Sequence, residues 1–126
     1  YAGIKDSSCR EEHHIHGAKE AEIILKAFNY PSDRIEKIKQ CILSHRGSVI
    51  IQKNLPEEIC VASADAMAHI DQVVSLLYAA FNELEMSLDD GKVWVREKLK
   101  RSWNKLCPEA QNIVRHKYEC AQEILK

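Results

Sequence analysis

The sequence predicts an all-α fold, a helical bundle of about five helices forming a single domain over 1–126. Three observations carry that expectation. Only four glycines and three prolines interrupt 126 residues. The intervals between them place apolar residues at i, i+3 and i+4, the period of a helix with one buried face. The interruptions themselves carry helix start and stop chemistry.

The first helix is read from Glu11 or Glu12 to Phe28, with Ile15, Ala18, Ala21, Ile24, Leu25 and Phe28 on one face. Asn29-Tyr30-Pro31 ends it, because a residue before proline is pushed out of α geometry. Ser32 or Asp33 caps the second helix, which sets Ile35, Ile38, Cys41, Ile42 and His45 along one side and stops at Gly47. Ser48 to Leu55 reads as a loop; Val49-Ile50-Ile51 has strand character but no visible pairing partner. Pro56-Glu57-Glu58 has the composition of a first helical turn, and the third helix continues through Ile59, Ala62, Ala66, Met67 and Ile70 toward Leu84, either unbroken or kinked near Asp71. Ser87-Leu88-Asp89-Asp90 starts a fourth helix with Val93, Val95, Leu99, Trp103 and Leu106 as its apolar set, and Pro108-Glu109 opens a fifth that runs toward Lys126. The core motifs thus occupy 11–84 and a C-terminal helical pair occupies 87–126.

Composition narrows the function classes. Apolar residues make up 45% and charged residues 29%, a globular balance that argues against disorder. A net charge of -1 gives no general attraction to nucleic acid or to an anionic membrane. No run of 18 apolar residues exists, so no spanning helix is expected. Five cysteines, none in a CxxC pair, make a disulfide framework or a zinc knuckle a poor fit and suit a reducing cytoplasm. Cys41 and Cys60 sit in apolar patterns and read as small core residues. The opening Tyr1-Ala2-Gly3-Ile4, without methionine, reads as that of a fragment or a processed product.

Three features carry chemistry. Glu12-His13-His14-Ile15-His16-Gly17-Ala18 leads histidines into a helix whose next residues are small; His13, Gly17 and Ala21 stack at i, i+4, i+8, leaving room for a neighbour across Gly17. His14 projects nearer the apolar face, so the functional histidine of this segment is His13 or His14, while His16 points away from that face. Cys41-Ile42-Leu43-Ser44-His45-Arg46 puts His45 on the buried side of a helix end, with Arg46 beside it as a phosphate binder or an exposed helix-end cation. Ala62-Ser63-Ala64-Asp65-Ala66-Met67-Ala68 wraps Asp65 in small apolar residues, where a carboxylate is costly unless it pairs or binds a cation. Histidine and carboxylate together suit a divalent transition metal. His69 and Asp71 continue the Asp65 helix, the first near enough to join a site and the second at its periphery. Trp94 and Trp103 read as core, and the run Arg96, Lys98, Lys100, Arg101, Lys105 as a solvated basic face.

The order H-x-x-x-G-A, I-L-x-H, A-D-A resembles the second half of the HD superfamily of metal-dependent phosphohydrolases. Trp103-Asn104-Lys105-Leu106-Cys107-Pro108-Glu109-Ala110 is similar to the C-terminal helices of small members. The resemblance implies an HD-domain-like fold truncated at its N-terminus, and hydrolysis of phosphate esters or nucleotides with a divalent metal ion. In it Asp65 corresponds to the final aspartate ligand, and His13 and His45 to the histidines that serve a second metal or the substrate phosphate. The implied partner is a small phosphorylated substrate. The sequence departs from the family pattern in having no His-Asp doublet, since His69-Ile70-Asp71 has the wrong spacing. The alternative expectation is a non-catalytic helical interaction module. Loss of a covering N-terminal helix would leave an apolar groove at Ile38, Ile42 and Ile59 and favour a homo-oligomer.

Overall fold

A computed structural model describes residues 12–46 and 52–126. Gly47, Val49-Ile50-Ile51, Cys9 and the opening Tyr1-Ala2-Gly3 lie outside the described residues, and with them the expected helix stop, the strand alternative and the first half of the loop that begins at Ser48. Among the described residues every regular element is helical. Six helices are present: α1 (His13–Ala27), α2 (Ser32–Ser44), α3 (Pro56–Asp71), α4 (Val73–Tyr78), α5 (Leu88–Lys105) and α6 (Pro108–Ile124), with a π-helical turn over Ala79–Glu83 following α4. The chain divides into two compact units, residues 1–62 and 63–126, with the division inside α3.

In the first unit α1 and α2 form a helical hairpin. Asn29 takes a left-handed backbone conformation (φ 53°), the Asn29 N–H bonds the Lys26 carbonyl and the Tyr30 N–H bonds the Leu25 carbonyl. These two bonds make a Schellman stop, with asparagine in the place glycine usually takes. Pro31, not Ser32 or Asp33, stands at the N-cap of α2, and no side chain caps it; Asp33 lies in the first turn. Ala18, Ile35 and Cys41 are buried in this unit. The expected apolar face of α1 is narrower than its sequence pattern: Ile15 and Ile24 are 38% and 48% exposed and Phe28 is 79% exposed. The approach across Gly17 is filled by Ile42, whose Cγ2 would lie 3.5 Å from an added Cβ, an ordinary contact.

The start of α3 is held by Glu58, which is buried. Its carboxylate accepts the backbone N–H groups of Asn54 and Leu55, both at 2.9 Å, and the Gln40 side-chain amide at 3.3 Å. Two otherwise orphaned helix-entry donors are satisfied in this way, and α2 is tied to the α3 entry. The Ser44 hydroxyl and these donors hold the Glu58 carboxyl below its usual range against the opposing effect of burial.

The second unit contains the larger core. Ala66 and Ile70 of α3, Leu76 of α4, Ala80, Val95 and Leu99 of α5, and Leu106, Ala110, Val114, Ala121 and Leu125 form one buried cluster, flanked by Trp94 and Trp103. Trp103 stacks on Tyr118 with centroids 4.4 Å apart. The anticipated long third helix breaks at Gln72 (φ -108°, ψ 46°), next to Asp71 as in the kinked alternative, and the segments on either side are bent by 74°. Ser87 caps α5 as its sequence predicts, its Oγ accepting the Asp90 N–H. Val93 is 48% exposed and leaves the expected apolar set, which narrows to Val95, Leu99 and Leu106 with Trp103 at its edge. Cys60, expected in a core, is exposed, whereas Cys41 is buried as expected. Among the described residues no single helix is long and apolar enough to cross a membrane.

Candidate functional site

The α1–α2 hairpin brings the first turn of one helix to the last of the other. His13 opens α1 and His45 follows α2 as its C-cap residue. Their Nε2 atoms are 3.4 Å apart, with the rings edge to face and their centroids separated by 5.3 Å. His45 Nδ1 lies 2.5 Å from the Ile42 carbonyl oxygen. A carbonyl can only accept, so Nδ1 carries a proton; when the ring is neutral, the lone pair is then on Nε2, the atom nearest His13. Two imidazole nitrogens on a tetrahedral ion with bonds of about 2.0–2.1 Å stand about 3.3 Å apart. The His13–His45 pair therefore fits two positions of such an ion, with the carbonyl-anchored Nδ1–H that metal-bound histidines usually show.

His14 packs against His13 with ring centroids 5.7 Å apart. Its Nδ1 is buried and has no hydrogen-bond partner among the described residues. Burial pushes the His14 pKa down, and the neighbouring charges of Arg46, His13 and His45 push it the same way. His13 faces His45, while His14 turns a nitrogen into the protein. His16 is exposed, as its helical position predicts, and pairs with Glu12 at 3.6 Å.

Asp65 belongs to the second unit. It is not enclosed: its side chain is 35% exposed. Lys105 of α5, whose own side chain is only 7% exposed, donates to its carboxylate. His69, one turn along α3, lies 3.9 Å from Asp65 Oδ2 and within hydrogen-bond distance of Ser102 Oγ (3.3 Å). Lys98 stands on the same side of α5; burial lowers its pKa, Lys105 and Arg101 add to that, and Asp65 opposes it. The cation that Asp65 requires is thus supplied from within the chain. The basic run of α5 is accordingly no uniform solvated face. Lys98 and Lys105 flank the buried Val95–Leu99–Ser102–Leu106 stripe. Asp71 is exposed and ion-paired with Lys117, which holds its carboxyl below the usual range.

Of the three residues singled out from sequence, His13 and His45 meet in the first unit, and Asp65 is engaged by Lys105 in the second. Among the described residues no group of three or more histidine, cysteine, aspartate or glutamate side chains is arranged to hold one metal ion. A shallow cavity of about 440 Å³ lies elsewhere, lined by Met67, Ala68, Asp71, Ile113, Val114 and Lys117. No protein-family model, curated protein or solved structure matches this chain.

Proposed function

We propose that this chain is part of an HD-like metal-dependent phosphohydrolase, and that the His13–His45 pair is its ion- or phosphate-contacting element. The observation that carries this reading is the 3.4 Å approach of the two Nε2 atoms, with His45 Nδ1 anchored on the Ile42 carbonyl. A divalent ion there would polarise a phosphoryl oxygen and activate water. The residues of this chain do the rest: Ile42 fixes the His45 tautomer, the hairpin fixes the separation of the rings, and Arg46 adds positive charge for a phosphate. The role of Asp65 as a further ligand rests on the resemblance, and a metal there has to compete with Lys105. The sequence holds no His-Asp doublet, so phosphohydrolase activity needs ligands beyond those seen here.

The second reading is a non-catalytic helical module. The Lys105–Asp65 pair favours it, because a lysine ammonium takes the place of a metal at the carboxylate.

Metal titration by calorimetry, together with a phosphatase screen on this chain and on an upstream-extended form, separates the two. The hydrolase reading expects zinc, manganese, iron or nickel binding that is lost in His13→Ala and His45→Ala, and phosphate-ester hydrolysis in the extended form. An extended protein that contains the doublet and neither binds metal nor cleaves phosphate esters leaves the module reading standing.

A further inference from the structure

The exposed face of α6 carries a second pair of metal-ligand side chains, remote in sequence from His13 and His45. Cys120 Sγ lies 3.8 Å from both ring nitrogens of His116, one helical turn before it. A thiolate and an imidazole bound to one tetrahedral zinc stand about 3.6 Å apart, from bonds of about 2.3 and 2.0–2.1 Å. Sγ is equally far from both nitrogens, so the imidazole has to rotate to turn one nitrogen toward an ion shared with the thiolate. The pair supplies half of a closed ligand set, and among the described residues no third such side chain joins it.

The surroundings indicate where the other half comes from. Ile113 and Ile124 are 72% and 76% exposed. On a helical projection both fall on the same face as His116 and Cys120. They also stand at nearly equal distances along α6 on either side of the His116–Cys120 midpoint. A second α6 laid antiparallel across that midpoint by a two-fold axis therefore sets Ile113 of each copy near Ile124 of the other. The same operation brings two cysteines and two histidines together at the centre. Lys117, which would otherwise intrude on this seam, is drawn aside by its ion pair with Asp71.

We propose that α6 is the contact face of a zinc-linked homodimer, in which His116 and Cys120 of two copies form one closed Cys2His2 site. Each Cys120 thiol gives its proton to solvent on binding, and the site has no open position for a substrate. The centre is structural and independent of the function proposed for His13 and His45.

The test uses the full chain carrying His13→Ala and His45→Ala, so that those residues cannot take the metal, with a phosphine reductant to prevent a Cys120–Cys120 disulfide. Zinc is titrated in sedimentation velocity, and cobalt is used in place of zinc for absorption. The expected result is conversion of monomer to dimer at one zinc per two chains, reversal by chelator, and a thiolate-to-cobalt charge-transfer band with tetrahedral d–d absorption. Cys120→Ser removes the band and His116→Ala removes the dimer, while circular dichroism of both variants stays unchanged. A chain that stays monomeric at saturating zinc overturns the proposal. So does a dimer that persists in the Cys120→Ser, His116→Ala double variant, or a cobalt band that survives Cys120→Ser.

Discussion

Lys105 sets its ammonium on the carboxylate of Asp65 from a position 40 residues away in sequence. The lysine side chain is nearly enclosed and the aspartate is one-third open to solvent. Removing one partner of an enclosed pair leaves the other short of compensation, a loss that reaches about 3–5 kcal/mol in full burial. The exposure of Asp65 reduces this, so Asp65→Ala is expected to cost about 2 kcal/mol in urea denaturation with chelator present. Asp65→Asn, which keeps the shape and a hydrogen-bond acceptor, is expected to cost less. A stability change seen only when metal is present would show that the carboxylate serves a metal and that the lysine contact is incidental.

Why Asp65 was legible as a costly carboxylate and its partner was not follows from the range of the interactions. Helix start and stop chemistry is local, so the end of α1 before Pro31, the Ser87 cap of α5, the Pro108 start of α6 and the break beside Asp71 fall where the sequence places them, although neither Ser32 nor Asp33 caps α2. His13 and His45 were singled out together by the resemblance, and the structure sets their Nε2 atoms 3.4 Å apart. Lys105 reaches Asp65 only through the packing of α5 on α3, which no local pattern encodes. The first half of α3 shows the other limit. Ile59, Cys60, Val61 and Ala62 are apolar in succession, so periodicity names no face, and the structure buries only Ala62 of the four. Of the residues expected to line an apolar groove, Ile59 is 41% exposed, and Ile38 and Ile42 are half-buried.

The π-helical turn is expected to be sensitive to a methyl group. A Cβ on Gly91 would lie 2.3 Å from Phe81 Cε1 and 2.9 Å from Cδ1, so the ring must move. In a free helix Gly→Ala is worth up to about 1 kcal/mol of stabilisation, and overpacking costs about 1–3 kcal/mol. Gly91→Ala should therefore lower stability by about 1 kcal/mol. Combining it with Phe81→Leu should recover part of that loss relative to Phe81→Leu alone. Additive losses in the double-mutant cycle would mean that the two residues are not in contact.

Glu58 is the corresponding test in the first unit. Its carboxylate accepts two backbone N–H groups and the Gln40 amide while buried. Charge-assisted hydrogen bonds are worth about 1.5–3 kcal/mol, so Glu58→Ala should cost about 3 kcal/mol. Amide hydrogen exchange should accelerate first at Asn54 and Leu55. Glu58→Gln keeps an acceptor oxygen and should fall between. Unchanged exchange at those two amides in Glu58→Ala would show that the α3 entry does not depend on this side chain.

The clearest pH dependence is expected at Glu22. Hydrogen bonds from Lys26 at 2.7 Å, and an ion pair with Lys39 at 2.6 Å, lower its pKa from the ordinary 4.5 to about 2. The Lys39 contact ties α1 to α2, so this carboxylate contributes to the hairpin only while ionised. A folded-state pKa below the unfolded one means that the unfolded chain takes up the proton first. The contribution is therefore complete above about pH 4.5 and is lost as the pH falls toward 2. Both partners reach solvent, so the energy is small and salt screens it. A carboxyl carbon-13 NMR titration should find Glu22 still ionised at pH 3 in low salt, with its midpoint moving up in high salt. The urea midpoint of Glu22→Gln should fall less steeply between pH 4.5 and 2 than that of the unsubstituted chain. A Glu22 midpoint near 4.5 in low salt would show that the two lysines do not engage it in solution.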